Sequence, residues 1–193
     1  MNQTDNILAQ LRTHTSLLHS ALEQTPLSAG LLDEGVSQKN YVTYLQKMRE
    51  IVAFYEAEIF PVLDDTLPDL TKREKLSLID KDLHYLSVDR SGLPGFENST
   101  GGNSSIGYAM GCMYVMEGST LGGKVILKHI SKTLGIVPEQ GGSYLDGYGD
   151  QTGQFWKIFL NILQEYSANN DCDNEIIAGA KDTFTSIKLY FEQ

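Results

Sequence analysis

A histidine with a carboxylate four residues after it and an arginine seven before it can hold and orient a metal-bound ligand. His19, Glu23 and Arg12 stand in that relation within LRTHTSLLHSALEQ. At about 100° per residue, the three fall within roughly 40° of one another on a helix. Thr15 lies beside them, and the apolar stripe Leu11, Leu18 and Leu22 runs about 80–100° round. A neutral imidazole ligates metals. An acceptor at its other nitrogen fixes the tautomer and raises ligand basicity, and Glu23 is placed to be that acceptor, directly or through water. Arg12 is placed to pair with a carboxylate on the ligand. On residue types alone the plainer reading is favoured, a partly buried histidine beside a surface Arg–Glu pair.

The second signal is GYAMGCMYVMEGSTLGGKVILKHI, with Gly107, Gly111, Gly118, Gly122 and Gly123 inside one helical stretch. Each interior glycine weakens a helix by about 0.5–1 kcal/mol relative to alanine. This helix is expected to bend around 118–123. Either another backbone approaches closely, or a flat ligand lies against bare backbone. The four-residue pairs Gly107/Gly111 and Gly118/Gly122 favour helix packing and leave the ligand reading open.

Other chemistry is excluded by spacing. His14 lies about 140° round the helix from His19, so the two do not share a metal. A carboxylate-bridged di-iron bundle uses Glu-x-x-His pairs, but Leu11, Ser16, Lys81 and Ile126 stand three before the four histidines. His84 and His129 read as surface or satisfied core histidines. Ser119 in E-G-S-T-L-G-G is not a nucleophile elbow, and Lys124 after Gly122 and Gly123 lacks P-loop spacing.

Helical periodicity must position these residues. It predicts helices over 2–24, with Thr4 or Asp5 as cap, and over 37–60, with Ser37 as N-cap and a long stripe from Tyr41 to Ile59. A third is expected over 71–86, opened by a Thr71/Glu74 capping box. Further helices are expected over 105–134, 152–168 and 174–191. Segment 87–105 reads as the clearest loop, and PEQGGSYLDGYGDQTGQ as a second. The five prolines fall at joints, and no alternating strand, repeat or linker interrupts the pattern. The expected fold is all-α, one domain over 1–193.

The 193 residues suit one core, and hydrophobic residues at 41% indicate a folded chain. A net charge of −10 disfavours nucleic acid and anionic membranes as partners. No apolar run reaches the length of a membrane anchor, and the N-terminus lacks signal-peptide character. A soluble, cytoplasmic protein is expected, with Cys112 and Cys172 as free thiols.

The pattern L-R-x-x-T-x-x-x-H-x-x-x-E resembles the proximal helix of heme oxygenases. The run Y-V-M-E-G-S-T-L-G-G resembles the distal helix of their bacterial, biliverdin-producing branch. The likeness covers essentially the whole chain and implies a helical bundle with a bent, glycine-rich distal helix. Heme would be substrate and cofactor, its iron held by His19 and the ring of His19 supported by Glu23. Gly118 and Gly122, with Gly123 beside them, would lie over the other heme face and steer dioxygen to one meso carbon. Biliverdin, carbon monoxide and ferrous iron would result, with electrons from a ferredoxin or a flavin-dependent reductase. Arg12 matches a propionate-binding position, Lys157 resembles a second, and Phe184 resembles an aromatic at the heme edge. Tyr114 and Met110 are further lining candidates by helix position. Lys124, Lys128, Lys132 and Lys157 are candidates to dock an acidic redox partner. Ser119 stands where many relatives carry an aspartate that orders water; it hydrogen-bonds water but carries no charge. A non-catalytic heme carrier with the same fold is the alternative, and a homologue that has lost heme a third.

Overall fold

In this computed structural model, which describes residues 6–88, 95–97 and 105–193, Asn6 caps the first helix by accepting from the Leu8 N–H. That helix, α1, runs Ile7–Glu23; the caps expected at Thr4 or Asp5 lie outside the described residues. Thr25 and Pro26 open the short α2, Pro26–Ala29. Ser37 and Asn40 form a capping box at the start of α3, Gln38–Glu58, which buries Tyr41, Leu45, Met48, Ile51, Val52 and Tyr55 as the periodicity predicts. Pro61 sits in the first turn of α4, Phe60–Leu63.

The helix expected over 71–86 is two elements, because its N-terminus is capped from elsewhere in the fold. A 3-10 turn spans Leu70–Arg73, Glu74 is extended, and α5 runs Leu76–Tyr85. No Thr71/Glu74 capping box forms. Instead Glu56 on α3 accepts from the backbone N–H groups of Lys75 at 2.5 Å and Leu76 at 3.0 Å. Those are the orphan donors a local cap would have met.

The glycine-rich stretch forms one uninterrupted helix, α6, Ile106–Leu134, capped by Ser105 and ended by Gly135 at φ 72°. That left-handed conformation is what glycine supplies at a helix end. Ser119 and Thr120 donate to the carbonyls of Met116 and Glu117 at 2.7 and 2.6 Å, a back-bonding pattern associated with helix bending. The loop expected over 87–105 lies largely outside the described residues.

The Gly- and Tyr-rich segment after α6 contains α7, Ser143–Asp146, and a 3-10 turn, Gly149–Gln151. It is pinned to the core from several sides. The Tyr41 hydroxyl donates to Gly141 O at 2.7 Å. Asp82, fully buried on α5, accepts from the N–H groups of Ser143 and Tyr144 at 2.9 and 2.8 Å. Lys124 pairs with Asp146 at 2.6 Å, so this lysine of the expected docking patch is committed within the fold. An Asp82→Asn variant keeps one acceptor oxygen and turns an amide N–H₂ toward the other donor. It is expected to lose about 2 kcal/mol, read as a lower urea midpoint at unchanged slope.

The last two helices are α8, Thr152–Asn170, and α9, Asp173–Phe191, within two residues of expectation at their starts and ends. Helix α9 packs against α6 and α1. The close approach to α6 is made by glycines. A Cβ on Gly111 would fall on the Ile176 carbonyl, and one on Gly179 on the Tyr108 carbonyl. Leu11, Leu45, Ile51, Met110, Phe159 and Ile176 meet in the core with no exposed surface. Met110 is therefore core, not a ligand-facing residue. Cys112 and Cys172 are buried and unpaired. Among the described residues there is no strand, only isolated bridges of Val137 to Gln140 and Gly141. No described helix is long and apolar enough to cross a membrane.

Candidate functional site

One cleft of about 820 Å³ gathers most of the residues singled out in the sequence. The α1 wall carries Arg12, Thr15, His19 and Glu23; the α6 wall carries Gly118, Ser119, Gly122 and Gly123. Phe184 on α9 closes one side, and Trp156 on α8 another. Leu32, Leu121 and Val125 line it too and are 49%, 41% and 59% exposed, so the mouth has an apolar rim.

His19 owes its place to its position at the margin of the buried stripe of α1. Its Nδ1 lies 3.3 Å from Glu23 Oε2, one helical turn on. The ring meets the edge of Phe184 at 5.6 Å between centroids and 80° between planes. A carboxylate on one side and an aromatic edge on the other hold the imidazole from two directions. Nδ1 is the ring nitrogen nearest the Glu23 carboxylate, which leaves Nε2 as the candidate to ligate a metal.

The two glycine pairs of α6 differ in what lies opposite them. Gly107 and Gly111 serve packing: a Cβ on either would strike α9. At Gly122 a Cβ would meet nothing within 4 Å, and at Gly118 only the Trp156 ring, at 3.5 Å. Those two leave bare backbone facing open space, which is what a flat ligand needs. Gly123 has its Cβ direction 3.0 Å from Leu145 O, so it also permits the approach of α7. One helix thus carries both closely packed glycines and glycines whose backbone faces the cleft.

Arg12 is exposed, forms no ion pair among the described residues, and is the one Lys or Arg among those lining the cleft. Its charge is felt at the Tyr114 phenol, which also lines the cleft. An uncommitted guanidinium at the edge of an apolar cavity suits a ligand carboxylate. Lys157 does not line the cleft; it is exposed on α8, and its neighbour Trp156 lines it instead, packed on Tyr114 at 5.4 Å. Trp156 was missed because its spacing reads as ordinary core.

A buried charged group behind α6 was also missed. Arg73, 1% exposed, gives Nη1–H to Glu117 at 2.5 Å and holds Asp69 through Nε and Nη2, both at 2.9 Å. The Tyr148 hydroxyl donates to the other oxygen of Glu117 at 2.6 Å. Of these partners only Asp69 is near Arg73 in sequence; Glu117 and Tyr148, which complete the buried cluster, lie far along the chain.

Among the described residues no three His, Cys, Asp or Glu side chains gather to hold a bare metal ion. A porphyrin iron brings four nitrogens of its own and takes one protein imidazole, as His19 offers. The cleft volume, the uncovered glycine backbone and the oriented histidine fit that group.

A profile of the family described as heme oxygenase matches residues 97–193. A search of curated proteins finds no match. Among solved structures, the fold is similar to the NO- and CO-bound heme oxygenase from Neisseria meningitidis, with a TM-score of 0.79 at 22% identity, covering 97% of this chain and 91% of that one. It is similar to heme oxygenase from Leptospira interrogans, at TM-score 0.77 and 16% identity over 97% and 98% of the two chains. It is also similar to heme oxygenase-1 of the cyanobacterium Synechocystis in complex with heme, at TM-score 0.73 and 15% identity over 96% and 90%.

Proposed function

The chain belongs to the heme oxygenase family, and we propose that it binds heme in this cleft and cleaves it to biliverdin, carbon monoxide and ferrous iron. The observation that carries the reading is a single cavity with an oriented imidazole on one wall and side-chain-free backbone on another. Bound heme supplies the redox iron and is itself the substrate. Dioxygen and electrons from a ferredoxin or flavin-dependent reductase complete the reaction. His19 Nε2 ligates the iron, and Glu23 at Nδ1 sets the tautomer and raises the basicity of the ring. Phe184 fixes the ring plane. Arg12 holds a propionate at the rim. Gly118 and Gly122 let the porphyrin lie against α6, and Ser119, with its hydroxyl donating to Met116 O, keeps lone pairs for water.

Heme titration followed by reductant and oxygen tests this. A Soret band, then its replacement by a biliverdin spectrum with release of carbon monoxide, is expected. A stable complex without turnover would move the reading to a heme carrier, which the uncharged Ser119 favours. Absence of a Soret band would remove heme altogether. Gly122→Leu puts a branched chain where the ligand lies. Overpacking of about 1–3 kcal/mol corresponds to roughly five- to 150-fold weaker heme binding. Thermal stability of the ligand-free variant is expected to match or slightly exceed that of the parent, since a Cβ there meets nothing within 4 Å and the helix loses a glycine.

A further inference from the structure

Behind α6 lies a second cavity, of about 30 Å³, room for about two waters. It and the cleft share walls at Tyr44, Met116, Ser119 and Gly123. The rest of its lining sets four charged side chains, Arg73, Lys75, Glu117 and Glu56, among apolar and aromatic ones.

These four groups differ in what they can do with a proton. Arg73 keeps its own at any ordinary pH and is held by Asp69 and Glu117. Glu117 accepts from Arg73 on one oxygen and from Tyr148 on the other, and is an occupied carboxylate. Lys75 is different. It is 8% exposed. Its Nζ donates to Arg73 O at 2.9 Å and lies 3.6 Å from the centroid of the Tyr148 ring. An ammonium has three N–H groups, and that carbonyl is the one oxygen acceptor it meets among the described residues. Glu56, half-buried, spends Oε1 on the N–H groups of Lys75 and Leu76. Its other oxygen has no donor among the described residues.

Lys75 faces Arg73 from the 3-10 turn, Glu56 from α3 and Glu117 from α6, with the Tyr148 ring over its Nζ and Tyr144 of α7 lining the same cavity. Burial pushes it down to about 8, against the upward pull of Glu117 and Glu56 and with Arg73 adding to the fall. Burial raises Glu56. A buried ion cluster adds little stability over an apolar replacement, so stability alone gives no reason to keep a lysine here.

We propose that Lys75 is the proton store of the cleft, passing protons through water in this cavity to the α6 wall at Ser119, with Glu56 returning them from solvent. Resting on the heme-cleavage reading, it supplies the acid that Ser119 cannot. In each cycle the ammonium gives one proton to the water chain, leaving a neutral amine. The amine takes one back by way of the Glu56 carboxyl, so a proton moves from bulk to cleft and nothing else changes. Lys75 touches water, not substrate, and is a positioning and relay residue.

The test has two arms. In the ligand-free full chain labelled with ¹³C at lysine Cε, one resonance is expected to titrate near pH 8 and to disappear in Lys75→Arg. Its midpoint is expected to fall in Glu56→Gln, which keeps the helix-capping oxygen. Titration of every lysine above pH 10 overturns the proposal, and this arm needs no heme. In the second arm, the rate of heme conversion is followed against pH. The wild type is expected to lose rate as Lys75 deprotonates. Lys75→Met is expected to be slower by on the order of 100-fold, to lack that limb, and to keep the parent Soret band and heme affinity. Hydrogen peroxide, which brings its own protons, is expected to restore its rate. Wild-type pH dependence in Lys75→Met overturns the proposal alone; no conversion by the wild type overturns it together with the functional reading. Should the Met variant not fold, Lys75→Gln serves the same comparison.

Discussion

Gly111→Ala is expected to destabilise the protein by about 3 kcal/mol, the upper end of the usual penalty for overpacking. The reason is the identity of the atoms in the way. A Cβ there would fall on Ile176 O and lie 2.8 Å from both Ala180 N and Ile176 C. All three are backbone, so no side chain can rotate aside, and α6 and α9 must separate. Gly179→Ala, whose Cβ would fall on Tyr108 O, is expected to behave alike from the other side. Urea denaturation reads the effect as a lower midpoint at constant slope. A change within about 0.5 kcal/mol, the range of an ordinary surface substitution, would mean that the two helices do not pack at this distance in solution. The contrast with Gly122 is internal to one helix: a Cβ meets backbone of α9 at one glycine and open space at the other.

His19→Ala is expected to abolish normal axial ligation and to slow heme conversion by at least about 100-fold, the upper end of what loss of a supporting residue alone produces. The Soret band should shift to that of a water-ligated or weakly held heme, and added imidazole should restore the parent spectrum by occupying the space left. Glu23→Gln is the graded companion. It keeps an acceptor near Nδ1 but removes the charge, so about tenfold weaker heme binding is expected. If His19→Ala keeps the parent spectrum and turnover, the iron is held elsewhere and the α1 wall is only packing.

Local features were legible in the sequence, and features completed by distant residues were not. The stripe from Tyr41 to Tyr55 and the cap at Ser37 depend on neighbours within a turn, and both are present. His19 and Glu23 are likewise one turn apart, and their contact follows from helix geometry. The start of α5 was misread because its cap, Glu56, stands on another helix. Nothing near Arg73 in sequence marks it as buried, because Glu117, its buried partner, is 44 residues away. Gly118 and Gly111 were indistinguishable by spacing; only the course of α9 past one and not the other separates them. Lys157 and Trp156 differ by one helical step, and side-chain direction put the aromatic, not the cation, on the cleft.

With its apolar rim of Leu32, Leu121 and Val125, a cleft that holds heme as proposed would tie the lifetime of the protein to heme supply. A ligand that binds only the folded chain adds about 4 kcal/mol of stability at a thousandfold excess over its Kd. Without it, the chain carries uncovered apolar surface and unfolds more often, and unfolded chains are removed by proteases. Abundance would then rise and fall with heme even at a constant rate of synthesis. The cleft would meter its substrate before any turnover takes place.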